Sequence, residues 1–435
     1  MGWLTPANRY WAIDGEPTLL IGASNEDNLF QLPDLESELD TLAAAGGNYV
    51  RNTLSSREDF AVWPFAKTDA GTYDLTSWNR TYWDRLERFL ALTRERDIVP
   101  QFELWAFHDI VQRQNWAENP WNPRNTVSYD ARDVSLPGTI DGDYHGGERH
   151  PFFLTHPDAN DDGLVRRHQE RFVDRVLKTI APYDHVLVCM TNEIFSQYPA
   201  SWSRYWVDYV RERSEAAVAE MFQETDLSHP QHREALDDPD RYDFIECSQN
   251  AGSRGDTHWE RLQWVRSYTA EHPRPINHVK TYGGETVWTD GPEHGVRRFW
   301  RNLIGGGASS RFHRPPAGLG LNDRARRHVA SARALADRFP FHRATVDAEH
   351  ALLENRAPEA AYLVYVPDEA YVVYFPAGRG VTLDLADTAG SFDVVWLHLE
   401  GATWTDRGPT RASGGESIEL RAPGGGQWVA LLERA

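Results

Sequence analysis

A carboxylic acid and an amide stand side by side where an apolar run of the chain ends. The run Val-Leu-Val-Cys-Met at 186–190 leads into Thr191, Asn192 and Glu193, which predicts a buried strand with polar side chains at its carboxyl end. In parallel α/β barrels, reacting groups collect at that end of the sheet. Hydrolysis of a glycosidic bond needs an acid that protonates the leaving oxygen, and a neighbouring amide suits a sugar hydroxyl. The alternative is a surface Glu193 that caps the next helix.

Polar residues and one tryptophan stand at the ends of the other apolar runs, where the strands together would form one pocket. These candidate substrate-binding residues are Asn25, Arg51, Trp105, His108, Asp109, Asn192, Asn250, Tyr282, Arg311 and His313. The carboxyl ends of parallel strands meet at one edge, so we expect these side chains to surround Glu193. We expect Glu220 to be the second carboxylate, acting as nucleophile or as base toward water.

Lysine is scarce in this chain, which makes each lysine informative. Only Lys67, Lys178 and Lys280 occur, and the remaining strongly basic residues are arginines. Two interpretations of Lys280 stay open. It forms a salt bridge from a strand end to some carboxylate, or it is a catalytic residue that keeps Glu193 ionised or pairs with substrate.

Metal and cofactor sites are not indicated. His145, His150 and His156 lie in a long insert with spacings that match no standard zinc pattern. The acidic stretch 158–162 lacks the distal glutamate of a calcium loop and is typical of a helix start. The glycines at 305–307 precede a strand, where glycines commonly end helices. We therefore expect no cofactor and no metal.

Short apolar runs alternate with amphipathic stretches through most of the chain. The predicted strands are 18–24, 47–53, 98–105, 186–193, 217–222, 244–249, 275–282 and 309–313, and the predicted helices are 34–45, 78–96, 164–180, 202–213, 259–270, 296–304 and 324–338. This alternation predicts an α/β protein with a (β/α)8 TIM barrel. The insert at 107–156 is typical of a functional loop.

The pattern of apolar and turn-forming residues changes near residue 345. Short apolar strands separated by Pro, Gly and Asp turns are expected at 361–366, 371–375, 381–385, 392–396 and 428–432. They predict a small antiparallel β-sandwich. The predicted domains are therefore a catalytic barrel over 1–344 and a β-sandwich over 345–435.

Composition narrows the classes of partner. The 45 basic residues against 65 acidic ones give a net charge of −20, which argues against nucleic acid and anionic membrane surfaces. No apolar run is long enough to span a membrane. Residues 1–10 lack the features of a signal peptide, so we expect a cytoplasmic protein. The chain has 17 Trp and 17 Tyr, and exposed aromatic faces that stack on sugars would explain part of that number.

Several segments together resemble a known family. Arg51-Asn52, Thr191–Glu193 and the segments at 115–123, 276–283 and 309–316 resemble retaining glycoside hydrolases on (β/α)8 barrels. The chain looks most like apiosidase-like members that carry a C-terminal sandwich of collagen-binding type. The resemblance implies a plant or microbial oligosaccharide or polysaccharide as substrate and Glu193 as general acid/base.

The chain departs from that family pattern at one position. The family places its nucleophilic glutamate at the end of the seventh strand, whereas this strand contains Lys280 and no carboxylate. Glu103, Glu246 and Glu285 are further carboxylates near strand ends. Two alternatives therefore stay open: a carbohydrate-binding protein that has lost hydrolysis, and a lyase acting on uronic sugars, in which Lys280 neutralises the substrate carboxylate.

Overall fold

The computed structural model describes residues 2–143, 148–286, 290–405 and 411–435. In chain order, the elements before residue 345 are β1 (Leu4–Ala7), β2 (Tyr10–Ile13), β3 (Glu16–Thr18), β4 (Leu20–Ala23), α1 (Leu35–Ala44), β5 (Tyr49–Thr53), β6 (Phe65–Lys67), β7 (Tyr73–Trp78), α2 (Arg80–Glu95), β8 (Val99–Trp105), α3 (Phe107–Val111), α4 (Arg113–Glu118), α5 (Gly163–Ile180), β9 (Leu187–Thr191), α6 (Ala200–Arg211), β10 (Ala217–Ala219), α7 (Pro230–Leu236), β11 (Ile245–Glu246), α8 (Gly255–Tyr268), β12 (Ile276–Asn277), α9 (Pro292–Ile304), β13 (Ser309–Phe312) and α10 (Asp323–Ala336). The later elements are β14 (Thr345–Val346), β15 (Leu353–Glu354), β16 (Tyr362–Val366), β17 (Ala370–Phe375), β18 (Gly380–Asp384), β19 (Ser391–His398), β20 (Thr403–Thr405), β21 (Arg411–Ser413), β22 (Ser417–Arg421) and β23 (Trp428–Arg434).

Parallel strands that follow the predicted order form the centre of the first part. Six of them pair in the order β10-β9-β8-β5-β4-β13, and β11 pairs with β12. On one side, the two groups are joined by a bridge between Thr281 and Phe312 and by backbone hydrogen bonds that include Ala308 N to Ile276 O at 2.7 Å and Thr281 N to Arg311 O at 2.8 Å. On the other side, within the described residues, a lone backbone hydrogen bond of 2.9 Å runs from Asp243 N to Val218 O. The parallel α/β architecture is therefore confirmed, whereas the ladder of a closed barrel is incomplete between β10 and β11.

The helix signals in the sequence act as expected. The Asp162 side chain accepts a hydrogen bond from Val165 N at the start of α5, so the acidic stretch before it is a helix start. At the end of α9, Gly305 is the C-cap and Gly306 has a φ of +82°, a left-handed conformation that suits glycine. Both predictions of local structure are confirmed.

The tryptophans lie mainly in the core. The Trp105 ring lies 4.9 Å from Trp206 and 6.0 Å from Trp202, between centroids, and Phe152 and Phe172 complete this cluster. The interpretation of the aromatic surplus as exposed sugar-stacking faces is therefore wrong for these residues. The rings of this cluster pack helices α5 and α6 against the sheet.

Two antiparallel sheets make up the C-terminal part. One has the order β14-β16-β17-β23-β19-β20, with β21 also on β19, and the other has the order β15-β18-β22. Val373, Phe375 and Trp396 belong to an apolar cluster of this region, whereas Val372 and Tyr374 join the core of the first part. Alternate residues of β17 thus serve two cores, because successive side chains of a strand point to opposite faces. The antiparallel strands are confirmed.

Several short elements were not expected from the sequence. β1, β2 and β3 form a three-stranded sheet, and β6 pairs with β7 as a hairpin. The insert carries α3 and α4. Of the described helices, none combines the length and apolar character that a membrane span requires.

Candidate active site

Glu193 lies two residues beyond β9 and is surrounded by donors from distant parts of the chain. Lys280 Nζ contacts Glu193 Oε1 directly. The Tyr282 hydroxyl donates to the same oxygen at 3.0 Å, and His108 Nε2 lies 3.2 Å from Oε2. The Glu193 side chain keeps 13% of its surface exposed and Lys280 only 2%. The Glu193 side chain is thus partly accessible, while the Lys280 side chain is buried.

The charge state of Glu193 follows from these contacts. Burial raises the pKa of a carboxyl, but the ammonium of Lys280 and the hydrogen bond of His108 outweigh it and hold the Glu193 pKa well below its usual range. Burial lowers the pKa of Lys280, and the charge of Glu193 opposes that change. We therefore take Glu193 as ionised at neutral pH.

A second charged group stands beside this pair. Arg51 contacts Asp27 through Nη1 and donates from Nε to Glu103 at 2.7 Å. Thr53 Oγ1 donates to the other oxygen of Glu103 at 2.8 Å. All four residues are buried. Burial raises the pKa of Asp27, yet Arg51, His313 and two further arginines hold it well below its usual range.

Asp27 links this group to the mouth of the site. Arg314 Nε donates to Asp27 Oδ2 at 2.6 Å, and Arg57 Nη2 lies 3.8 Å from the same oxygen. His313 Nδ1 lies 3.7 Å from Asp27 Oδ1, and its ring is 5.1 Å from that of Tyr282. Arg51, Tyr282 and His313 therefore gather around Glu193 and Asp27, as the strand-end argument predicts.

The predicted amides mostly hold the backbone. Asn192 Oδ1 accepts from Phe107 N at 2.7 Å. Asn25 bridges Glu38 and the Leu321 backbone. Asn250 Nδ2 donates to His258 O at 2.8 Å. Of the three, Asn192 adjoins Glu193 directly, whereas Asn25 and Asn250 connect loops to helices.

Arg311 and Asp109 are engaged by their own neighbours. Arg311 Nη1 donates to Val279 O at 2.8 Å, and Nη2 contacts Ser24 Oγ. Asp109 accepts from Ser55 Oγ at 2.9 Å and from Ser56 N at 3.0 Å. Burial raises the pKa of Asp109. Arg311 thus ties β13 to the segments after β12 and β4, and Asp109 ties the insert to the loop after β5.

The Glu220 carboxyl is held by backbone groups at the junction of β9 and β10. Its Oε1 accepts from Thr191 N and Met221 N, both at 2.9 Å. It is 1% exposed, and burial raises its pKa to about 7. Glu246 is similarly buried, receives a hydrogen bond from Gln101 Nε2 at 2.9 Å, and has its pKa raised by burial to about 7. The catalytic role predicted for Glu220 stays a prediction.

Trp105 does not line the site. It is 3% exposed and lies in the aromatic core beside α5 and α6. Gln101 and Glu103 bond across to other parallel strands, but that alternation stops at Trp105, which is the last residue of β8. The sequence argument placed Trp105 in the pocket because it stands at the end of β8, but its ring lies in the aromatic core instead.

The candidate metal ligands lie apart from one another. His150 packs on Trp116, and His156 on Trp202. His145 lies outside the described residues. Within the ranges that the structure describes, no group of three or more His, Cys, Asp or Glu side chains is arranged to hold a metal ion.

Three site residues were not selected from the sequence. Asp27 follows β4 among other polar residues, and nothing in its own pattern marks it as the acceptor for Arg51. Arg57 and Glu58 lie in the loop after β5, where Arg57 approaches Asp27, Asp109 and Glu58 within 3.6 to 3.8 Å. The sequence signal that could have identified Arg57 and Glu58 was the run of three charged residues at 57–59.

Comparison with known proteins identifies the fold. A family model described as a domain of unknown function (DUF6298) matches residues 64–247. The comparison with curated proteins found no match. A family 5 glycoside hydrolase from Bacteroides vulgatus has a TM-score of 0.68 at 13% identity and covers 100% of this chain and 93% of its own. A family 5 mannosidase from Rhizomucor miehei has a TM-score of 0.55 at 14% identity, with coverage of 77% and 97%.

A family 30 endoxylanase from Clostridium papyrosolvens has a TM-score of 0.52 at 10% identity and covers 96% of this chain and 97% of its own. At such identities these likenesses establish the fold alone. The chain therefore shares the fold of glycoside hydrolases of families 5 and 30.

Proposed function

We propose that the chain is a glycoside hydrolase whose reaction is centred on Glu193. The observation that carries the proposal is the partly accessible side chain of Glu193, held by Lys280, Tyr282 and His108 at the carboxyl ends of parallel strands. That position is the usual place for catalytic groups in parallel α/β barrels. The fold shared with glycoside hydrolases supports the same reaction class.

Glu193 acts in its ionised form in this proposal. A general acid must carry its proton at the working pH, whereas Lys280 and His108 outweigh burial and keep the Glu193 pKa low. The resemblance to known hydrolases implied a general acid/base here. The charge balance favours instead a carboxylate that attacks the anomeric carbon or activates a water. The sugar-binding role predicted for Asn192 is not part of this proposal, because its side chain is 2% exposed and its Oδ1 accepts from Phe107 N.

The proton donor in the proposal is Glu58. Environments that push two carboxyl pKa values apart indicate an acid and a base. Burial raises the Glu58 pKa despite the charge of Arg57, and the side chain is 17% exposed. Asn28 Nδ2 donates to its Oε2 at 2.8 Å. Glu220 has a raised pKa as well, but at 1% exposure it is shielded from a substrate.

A carbohydrate-binding protein without hydrolysis is the second candidate. The observation that favours it is Lys280, which stands on the strand where related hydrolases are expected to carry a carboxylate. The lyase alternative is less favoured, because Lys280 Nζ already binds Glu193 and donates to Asn192 O at 2.7 Å. An ammonium group engaged in this way is poorly placed to neutralise a uronic acid.

The deciding experiment measures turnover of aryl glycosides and plant and microbial oligosaccharides by the unmodified chain and by Glu193→Gln. We expect hydrolysis that Glu193→Gln abolishes, and proton NMR of the first-formed anomer separates nucleophile from base. Turnover that survives Glu193→Gln would refute the role of Glu193. Binding without turnover would support the second candidate, and an unsaturated, ultraviolet-absorbing product would indicate a lyase. The apiosidase-like specificity stays a proposal until apiose-containing substrates are among those tested.

A further inference from the structure

A groove of about 800 Å³ opens beside the candidate active site. It lies between the β6–β7 hairpin, the loop after β5 and helix α4. Its walls include Arg57, Trp63, Lys67, Asn115 and Glu118. This volume falls within the range of roughly 300–1,000 Å³ typical of ligand sites.

Two contacts link the groove wall to the surroundings of Glu193. Asn115, on its wall, donates from Nδ2 to the backbone oxygen of His108 at 3.0 Å. The ring of His108 lies 3.2 Å from Glu193. From the other side, Arg57 reaches within 3.8 Å of Asp27. A ligand at Glu193 that extends toward Asn115 and Arg57 therefore reaches the groove wall.

Trp63 gives the groove an apolar face. Its ring is partly buried against the core. The structure records neither an aromatic nor a cationic partner for this ring among the described residues. Trp78, in contrast, is covered by Phe65 at 5.5 Å and by Arg171 at 5.0 Å. Trp63 is therefore the indole available to a ligand, and the amide of Asn115 stands on the same wall.

The charges of the groove wall largely cancel. Its basic residues are Arg57, Lys67 and Arg80, and its acidic residues are Asp59, Glu118 and Glu58, the last of which carries its proton in the proposed reaction. A ligand with one sign of charge at every unit gains no net attraction from such a wall. An aromatic face with amides and balanced charges suits a flat, neutral, hydroxyl-rich ligand.

We propose that this groove binds the sugar units of a neutral oligosaccharide beyond the unit held at Glu193. The proposal rests on the proposed function for the position of the reacting bond, and it adds the class of substrate: a neutral chain of several units. Trp63 supplies the platform for one of these units.

Calorimetric titration tests the groove separately from hydrolysis. Cellohexaose, mannohexaose, xylohexaose and hexagalacturonate are titrated into the Glu193→Gln chain, which blocks turnover. We expect a neutral hexaose to bind to the Glu193→Gln chain. Adding Trp63→Leu should raise the Kd of that hexaose by about tenfold, because leucine keeps apolar bulk but lacks the flat ring. Trp63→Phe, with a smaller ring, should give an intermediate loss and replaces the leucine variant if that one fails to fold. Trp3→Leu is the matched control, since Trp3 is 47% exposed outside the groove wall, and it should leave the Kd unchanged.

The outcomes separate the two proposals. Equal affinity with and without Trp63, no binding of any hexaose, or tighter binding of hexagalacturonate than of every neutral hexaose would overturn the groove proposal. Hydrolysis of an aryl monoglycoside by the unmodified chain, combined with any of those results, leaves the hydrolase standing. Trp63-dependent binding without any hydrolysis keeps the groove and refutes the hydrolase.

Discussion

The ammonium group of Lys280 contacts the carboxylate of Glu193, although 87 residues separate them in the sequence. Strand β9 leads to one partner and strand β12 to the other, so the pair spans two strands that are not neighbours in the sheet. Lys280 is almost fully buried and Glu193 is partly accessible. Removing one charge therefore leaves the other without its main compensation.

Replacing Lys280 by methionine should move the acid limb of the pH–rate profile upward. Glu193 then loses the charge that lowers its pKa, while burial, which raises the pKa, remains. We expect the limb to shift upward by about one to three pH units, so that activity at pH 5 falls more than activity at pH 7. The measurement is kcat/KM against pH.

Lys178→Met is the matched control for this prediction. Lys178 is exposed on α5, and the same substitution there should leave the profile unchanged. An unshifted acid limb in Lys280→Met would show that Lys280 does not set the protonation of Glu193.

Replacing Glu58 by glutamine should remove the proton donor. A positioned general acid contributes about 10²–10⁴-fold, so we expect a loss of kcat of that order and disappearance of the alkaline limb. Substrates with good leaving groups, such as dinitrophenyl glycosides, need less protonation and should lose less. Glu95→Gln is the control, because Glu95 is 68% exposed on α2 and lies outside the groove wall. Full activity of Glu58→Gln would eliminate Glu58 as the acid.

Glu220 offers a test through stability. Its pKa is raised by burial from 4.5 to about 7, so between these values the folded chain binds more protons than the unfolded chain. The free energy of unfolding therefore falls as pH rises through this window, by roughly 3 kcal/mol for this group. Glu220→Gln should reduce that fall, which urea unfolding at pH 5 and pH 8 would measure.

The exposed Glu215 supplies the control for Glu220, and Glu215→Gln should leave the pH dependence as it is. A stable Glu220→Gln chain that hydrolyses normally would assign Glu220 to the structure. Loss of hydrolysis in a stable chain would support its role as the second carboxylate. An unchanged pH dependence would contradict the raised pKa.

The sequence predicted the parallel strands and Glu193 because both leave local signals. The run before Glu193 is apolar and uninterrupted, as expected for a strand buried on both faces. The scarcity of lysine singled out Lys280, and its ion pair with Glu193 fits both open interpretations, a strand-end salt bridge and a residue that keeps Glu193 ionised. In such cases a single segment carries the information.

The remaining site depends on relations between segments, which one sequence does not display. Asp27 becomes part of the site because Arg51 points at it across paired strands. Trp105 leaves the site because α5 and α6 offer its ring an aromatic core. The strands β1 and β3 are short and contain Pro6 and Pro17, so their pairing was hidden by weak local preference.

Arg51 was predicted to bind substrate, and its contacts lead to a different expectation. It holds Asp27 and Glu103, which are 4% and 0% exposed. Arg51→Met leaves both buried carboxylates without their shared cation, although Asp27 retains Arg314. We expect a loss of about 3–5 kcal/mol in the free energy of unfolding at pH 7. The loss should shrink at acid pH. Asp27 has a lowered pKa, so its stabilising charge is lost from the native chain as pH falls.

Urea unfolding measures the change in the free energy of unfolding. Arg132→Met is the control, because Arg132 is 89% exposed. A stable Arg51→Met chain with a raised KM would instead restore the substrate-binding role.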